Sequence, residues 1–154
     1  VIFVNNGTIN WKIKSNLNRI LLVYYEGGYI MKRSMMQIYV KGSGEAVELY
    51  LKAFNATLGF NVKSSDGTYY HSELDVCGHT LAVAEAKDNI EKMITGNTMQ
   101  FCFHYGEGND DMVKHAYEIL KEGSEILFPL GPCEFSPLCA DFIDKFGVRW
   151  CLFV

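Results

Sequence analysis

The stretch Met36–Ala84, MQIYVKGSGEAVELYLKAFNATLGFNVKSSDGTYYHSELDVCGHTLAVA, decides how the chain folds. Met36–Lys41 alternates apolar and polar side chains, the period of a half-buried strand, and Gly42-Ser43-Gly44 breaks it. Glu45–Phe54 then sets Ala46, Leu49, Tyr50 and Ala53 at helical spacing, which predicts an amphipathic helix. Gly59–Ser64 reads as a second strand, closed by a Ser65-Asp66-Gly67 turn. Tyr69–Val76 and His79–Ala84 are two more strands around Cys77-Gly78. The order is βαβββ.

Downstream the same order recurs. Met99–Tyr105 is a strand, Gly106–Asn109 a loop and Asp110–Lys121 a helix. Its first-turn acids suit the positive helix end, and Gly123 follows shortly after it. Ile126–Leu130, Leu138–Ile143 and Val148–Val154 complete the second set of strands, with Gly147 between the last two. Met36-Gln37 and Met99-Gln100 pair off as equivalents, as do Gly78 and Gly147. Repetition of a whole supersecondary unit outranks single-residue propensity and predicts an α+β fold of two βαβββ repeats. The competing reading is two unrelated α+β units.

Composition narrows the function. With 154 residues, 49% apolar and 14% aromatic, the chain can bury one sizeable core. A net charge of −4 without a basic run argues against a nucleic-acid partner. The five cysteines (Cys77, Cys102, Cys133, Cys139 and Cys151) include no CxxC pair. That pattern suits reduced thiols in the cytoplasm better than a disulfide framework or a zinc knuckle. The apolar run Ile20–Tyr25 is too short to span a bilayer and has no cleavage site behind it, so neither a membrane nor a secretory route is expected.

Residues 1–30 differ from the rest, with three of the 14 basic residues and one of the 18 acids. Glu26-Gly27-Gly28 can be encoded GAA-GGA-GGT, a purine-rich ribosome-binding sequence placed just before an ATG for Met31. Residues 1–30 are therefore expected to be translated upstream sequence, with residues 31–154 as the domain proper. The alternative is a genuine N-terminal strand pair, since Ile20–Tyr25 has strong β propensity.

Four segments carry a family likeness. GEAVELYLKAF (Gly44–Phe54), YYHSEL (Tyr69–Leu74), LKEGSEILFPL (Leu120–Leu130) and IDKFGVRWCL (Ile143–Leu152) resemble, in order, motifs of the PhnB-like branch of the vicinal-oxygen-chelate (glyoxalase/bleomycin-resistance) superfamily. The resemblance implies a cupped surface of eight mixed β-strands with helices packed outside, frequent homodimers, and in many members a divalent metal. Members include lyases, dioxygenases, thiol transferases and drug-sequestering proteins, so fold alone does not fix chemistry.

Strand alternation sorts the side chains. Met36, Ile38 and Val40 should lie under a helix and send Gln37, Tyr39 and Lys41 to the cup. The same parity puts His71 and Glu73, then Gln100, Cys102 and His104, then Arg149, Cys151 and Phe153 on the cup side, with Tyr39, Phe142 and Phe153 as apolar walls. The family's ligand positions fall on Gln37, Gln100, Ala82 and Cys151. That set lacks the carboxylate and histidine that divalent ions favour, which predicts a metal-free site, with His71 or Glu73 as the remaining way to build one. The expectation is a metal-less protein that binds a small polar or anionic organic molecule through Gln37, Tyr39, His71, Glu73, Gln100, Cys102, Arg149 and Cys151. The alternative is an enzyme: a lyase or dioxygenase with an atypical metal site, or a thiol transferase using Cys151.

Overall fold

The computed structural model describes residues 33–87 and 98–154 together with two short N-terminal strands, β1 (Ile2–Asn5) and β2 (Thr8–Trp11). The chain divides into two units, Val1–Ser34 and Met35–Val154. In the first, β1 and β2 pair antiparallel, Ile2 opposite Trp11 and Asn5 opposite Thr8. Ile20–Tyr25 and Glu26–Met31 lie outside the described residues.

The second unit is the expected double βαβββ. Its first half holds β3 (Met36–Val40), α1 (Ser43–Ala53), β4 (Thr57–Lys63), β5 (Tyr69–Val76) and β6 (His79–Glu85). Its second half holds β7 (Phe101–His104), α2 (Asp110–Leu120), β8 (Glu125–Gly131), β9 (Cys139–Ile143) and β10 (Arg149–Phe153). Each half forms one four-stranded mixed sheet, ordered β3-β6-β5-β4 and β7-β10-β9-β8. In each sheet the first and last strands of the half pair parallel, β3 with β6 and β7 with β10, while the helix crosses from the first strand to the second, β4 or β8, at the far edge.

One core serves both halves. Val40, Leu74, Val76, Leu81 and Val83 of the first sheet and Ala140, Phe142, Trp150 and Leu152 of the second share a cluster with the buried sides of α1 and α2. Tyr50 of α1 meets Trp150 of β10 edge-on and Phe54, the residue that ends the helix, meets it tilted, with ring centroids 5.4 and 4.9 Å apart. Asp144 ties the halves together. Its carboxylate accepts from the Tyr50 hydroxyl (2.7 Å), the Trp150 indole N–H (2.8 Å), and the backbone N–H groups of Phe146 (2.9 Å) and Val148 (3.0 Å). This gives the Asp-x-Phe-Gly-x-x-Trp ending a physical basis: the acid closes a turn and anchors two buried aromatic residues. Burial, and then the neighbouring Asp144, hold the Tyr50 phenol well above its ordinary acidity range.

The start of α1 departs from the sequence reading. The helix begins at Ser43 inside the expected Gly-Ser-Gly break, with Gly42 left-handed at φ 82°. No local side chain caps it. The Glu85 carboxylate, from the end of β6, accepts the Gly42 N–H (3.0 Å) and the Ser43 N–H (2.7 Å) instead. A cap supplied from over forty residues away leaves no local signal. Gly44 is needed for closeness, because a Cβ there would stand 2.7 Å from the Gly67 carbonyl oxygen.

Candidate functional site

The helix-distal face of each sheet carries the polar residues. On the first sheet the register sets Gln37 beside Ala82 and Ala82 beside Glu73, one row across β3, β6 and β5. On the second it sets Cys102 beside Cys151 and Cys151 beside Asp141, across β7, β10 and β9. Ala82 and Cys151 are equally spaced from Gly78 and Gly147, whose φ values of 85° and 83° confirm those two as equivalents. The counterpart of Gln37 is therefore Cys102, which corrects the pairing with Gln100. The strand begins at Phe101, and Met99 and Gln100 are exposed ahead of it. The repeated Met-Gln is off by two positions.

His71 organises the first row. Its Nδ1 lies 3.0 Å from Gln37 Oε1, and its Nε2 lies 3.2 Å from Glu73 Oε1. A β-bulge puts the ring there. Lys63 opposes Tyr69 and Val62 opposes His71, so Tyr70 is the extra residue. The bulge reverses the alternation: Tyr69 is buried on the helix side, its N–H donating to Ser43 Oγ (2.7 Å), while Tyr70 and His71 both reach the other face. Gln37, Tyr39, Tyr70, His71, Glu85, Ala86 and Lys87 line an open groove of about 720 Å³, within the usual range for small-molecule sites. Lys87 stands at its rim, donating to Ser64 Oγ (3.1 Å) and lying over the Tyr70 ring. Burial alone would raise the pKa of Glu85, but the hydrogen bonds from Ser43 and Gly42 outweigh it and hold the pKa below its ordinary value.

The second row is built from sulfur and one ion pair. Arg149 donates to both oxygens of Asp141, at 3.0 and 2.7 Å, and the pair raises the guanidinium value further. The Cys151 and Cys139 Sγ atoms are 4.0 Å apart. Burial pushes the Cys139 thiol up to about 12 and raises that of Cys151. Cys102 and Gln100 are exposed, with the thiol 3.7 Å from the amide oxygen. His104 stacks on Phe153 at 4.7 Å.

The expected residues thus gather as two groups: Gln37, Tyr39, His71 and Glu73 on the first sheet, and Gln100, Cys102, Arg149 and Cys151 on the second. The groove around Gln37 is lined by first-half residues, so Gln37 and Gln100 do not share it. Phe142 is a correction. It is fully buried under α2 against Tyr117, because β9 presents Cys139, Asp141 and Ile143 to the polar face instead. Sequence reasoning missed Tyr70, Glu85 and Lys87. Tyr70 depends on the bulge, while Glu85 and Lys87 fall just past the expected end of β6. Among the described residues, no group of three or more His, Cys, Asp or Glu side chains is arranged to hold a metal ion. No helix among them is long and apolar enough to cross a membrane.

The paired four-stranded sheets with their helices have the architecture of the vicinal-oxygen-chelate fold. Solved structures carry the same architecture at low identity. The PhnB protein from Bacillus cereus matches with TM-score 0.68 and 19% identity, over 79% of this chain and 98% of that one. The fosfomycin resistance protein FosX from Listeria monocytogenes, complexed with Mn(II) and a dihydroxypropylphosphonic acid, matches with TM-score 0.59 and 16% identity, over 81% and 93%. TioX from Micromonospora matches with TM-score 0.52 and 18% identity, over 78% and 97%. No family model and no curated protein matches the sequence.

Proposed function

We propose that this protein binds a small polar or anionic organic molecule on the polar face of its first sheet, without a divalent metal. The observation that carries this reading is the groove around His71. Gln37, His71 and Glu73 form a hydrogen-bonded chain at one side and Lys87 supplies a cation at the rim. Tyr39 and Tyr70, both mostly exposed, offer flat apolar contact beside these polar groups. Arg149 is a weaker anion contact than its charge suggests, since Asp141 already neutralises it in a bidentate pair.

The donor chemistry supports the metal-free part. Ala82, central in the first row, has no ligating atom, and its flanking groups are one neutral amide and one carboxylate bonded to His71. Divalent oxygen-seeking ions need more anionic oxygen than that to offset lost hydration. Purified protein should hold well under one equivalent of Zn, Ni, Mn or Fe, and chelator should not lower its melting temperature. A thermal-shift screen of small organic anions should find a stabilising ligand, because binding to the native state alone must raise its stability. His71→Ala should abolish that shift. A stoichiometric divalent metal bound at Gln37 would overturn the binding reading and favour the enzyme.

Homodimer formation in the cytoplasm belongs to the same proposal. Strands β3 and β7 each pair on one side within the unit, and Phe60, Tyr70 and Phe135 are exposed on it. Open edges and exposed aromatic groups favour association with a second copy. Sedimentation analysis tests this directly, and a monomer at all concentrations would remove it.

A further inference from the structure

Three of the five cysteines lie on adjacent strands at the polar face of the second sheet, and a fourth is in the loop beside them. Cys102 of β7 lies beside Cys151 of β10 in register. Cys151 lies 4.0 Å, sulfur to sulfur, from Cys139 of β9. Cys133 sits in the loop before β9, its N–H donating to the Ser136 carbonyl. The two middle thiols are buried, while Cys102 is exposed and Cys133 half-buried, so the line opens to solvent at both ends. The fifth, Cys77, is exposed in the β5–β6 turn.

A buried thiol usually packs as a small apolar group, and that would account for Cys139 or Cys151 taken singly. It does not account for a continuous series across three strands that ends in exposed sulfur. We propose that Cys139 and Cys151 form a two-sulfur site for one soft thiophilic cation, of which Cu(I) is the fitting class, with the exposed Cys102 beside Cys151 as the way in. The separation suits two sulfurs sharing an ion. Metal–thiolate bonds of about 2.3 Å put two ligands about 3.8 Å apart at a tetrahedral angle and about 4.6 Å apart when opposed. The 4.0 Å spacing lies between these limits.

The choice of ion follows from donor number and softness. No three donors among the described residues converge on a single point, which disfavours a four-sulfur zinc cage. Cu(I) is satisfied by two or three soft sulfurs in a row. The nearest carboxylate, Asp141, is occupied by both bonds from Arg149, so a hard ion finds no free oxygen there. Binding displaces two thiol protons to solvent and leaves a dithiolate–Cu(I) unit of net charge −1, with no change in oxidation state. Arg149, on the same face and in electrostatic reach of Cys151 and Cys102, offsets that charge. This site is separate from the groove of the proposed function and uses a different class of ion.

The test is anaerobic titration of the reduced protein with Cu(I) against a chromogenic Cu(I) chelator, followed by alkylation mapping of all five thiols. One equivalent should be retained, with thiolate-to-copper absorption, and Cys139 and Cys151 should be protected while Cys77 is not. Cys151→Ser should weaken retention by more than about 100-fold, beyond the roughly 10–100-fold of an outer-shell change. Cys77→Ser should leave it unchanged. The exposed Cys102→Ser, which does not disturb the core, should slow Cu(I) loading by several-fold and leave the final stoichiometry at one, and this arm stands even if Cys151→Ser fails to fold. Equal protection of all five thiols would overturn the proposal. So would retention unaffected by Cys151→Ser with loading unaffected by Cys102→Ser, or a Cys139–Cys151 disulfide in air without any Cu(I) binding under nitrogen.

Discussion

The two sheets share a backbone plan and differ in chemistry. Position for position, Gln37, Ala82 and Glu73 on one answer to Cys102, Cys151 and Asp141 on the other. The helix-facing residues have no such freedom. Leu81 and Val83 answer to Trp150 and Leu152, all apolar and all buried, because both sheets must seal one core. The duplicated scaffold thus fixes one face and leaves the other open to change, toward nitrogen and oxygen donors in the first half and sulfur in the second. The turns before the last strands diverge in the same way. Asp75 is exposed and accepts one bond, from the Gly78 N–H at 2.6 Å, whereas Asp144 is buried and accepts four.

Breaking the two turns should therefore give very different losses. Asp144→Ala strands the Tyr50 hydroxyl and the Trp150 N–H inside the core, and each unsatisfied buried donor costs about 1–3 kcal/mol. The expected loss is about 3–5 kcal/mol, in the range seen when a buried charged network loses its acceptor. Asp75→Ala should cost under about 1 kcal/mol, as exposed substitutions do. Urea unfolding of both variants makes the measurement. Similar losses would mean that Asp144 is not the joint between the halves.

The helix starts sharpen the comparison at a smaller scale. α1 is capped by Glu85, and the matching position of the second half is the apolar Val154, so α2 relies on the charges of Asp110 and Asp111 in its first turn. Glu85→Gln should cost about 1 kcal/mol, the usual worth of an N-cap. The wild type should show the same dependence in pH. The folded value of Glu85 lies below its ordinary 4.5, so its contribution is present above that value and is lost as pH falls through the lowered one. Acid unfolding followed by circular dichroism should shift less with pH in Glu85→Gln than in the wild type.

The sequence carried the fold because the helix-facing pattern is periodic: Ile38 and Val40, Leu74 and Val76, and Trp150 and Leu152 all pack as alternation predicts. The site was legible only in part. Gln37, His71 and Glu73 follow from parity, yet Tyr70 joins them through a bulge that alternation cannot anticipate. The cap from Glu85 and the line of thiols arise from strand neighbours far apart in sequence. Cys102 and Cys139 look unrelated until β10 is laid between β7 and β9. The repeated Met-Gln misled for a related reason, since two identical residues say nothing about register.

The smallest expected effect compares the ends of the two first strands. Val40 and Tyr105 are equivalents, each placed beyond the same central row and each beside a backbone bond to the last strand's end, Ala86 N–H to Val40 C=O and Tyr105 N–H to Phe153 C=O. Val40 buries no side-chain polar atom. The Tyr105 hydroxyl is buried without a hydrogen-bond partner among the described residues, and burial, then the nearby Cys77, push its pKa up to about 12. Tyr105→Phe keeps the ring against Phe103 and removes the unmatched oxygen, so it should stabilise the protein by about 1 kcal/mol, the low end of an unmet polar group's cost. It should also flatten the alkaline limb of the stability curve. A phenol held above its ordinary 10.0 adds stability that is complete below that value and disappears as pH rises toward about 12. Tyr50 keeps its own share in the variant. Urea midpoints at neutral pH and at the alkaline limit measure both effects, and a destabilised Tyr105→Phe protein would mean that the hydroxyl has a partner in solution.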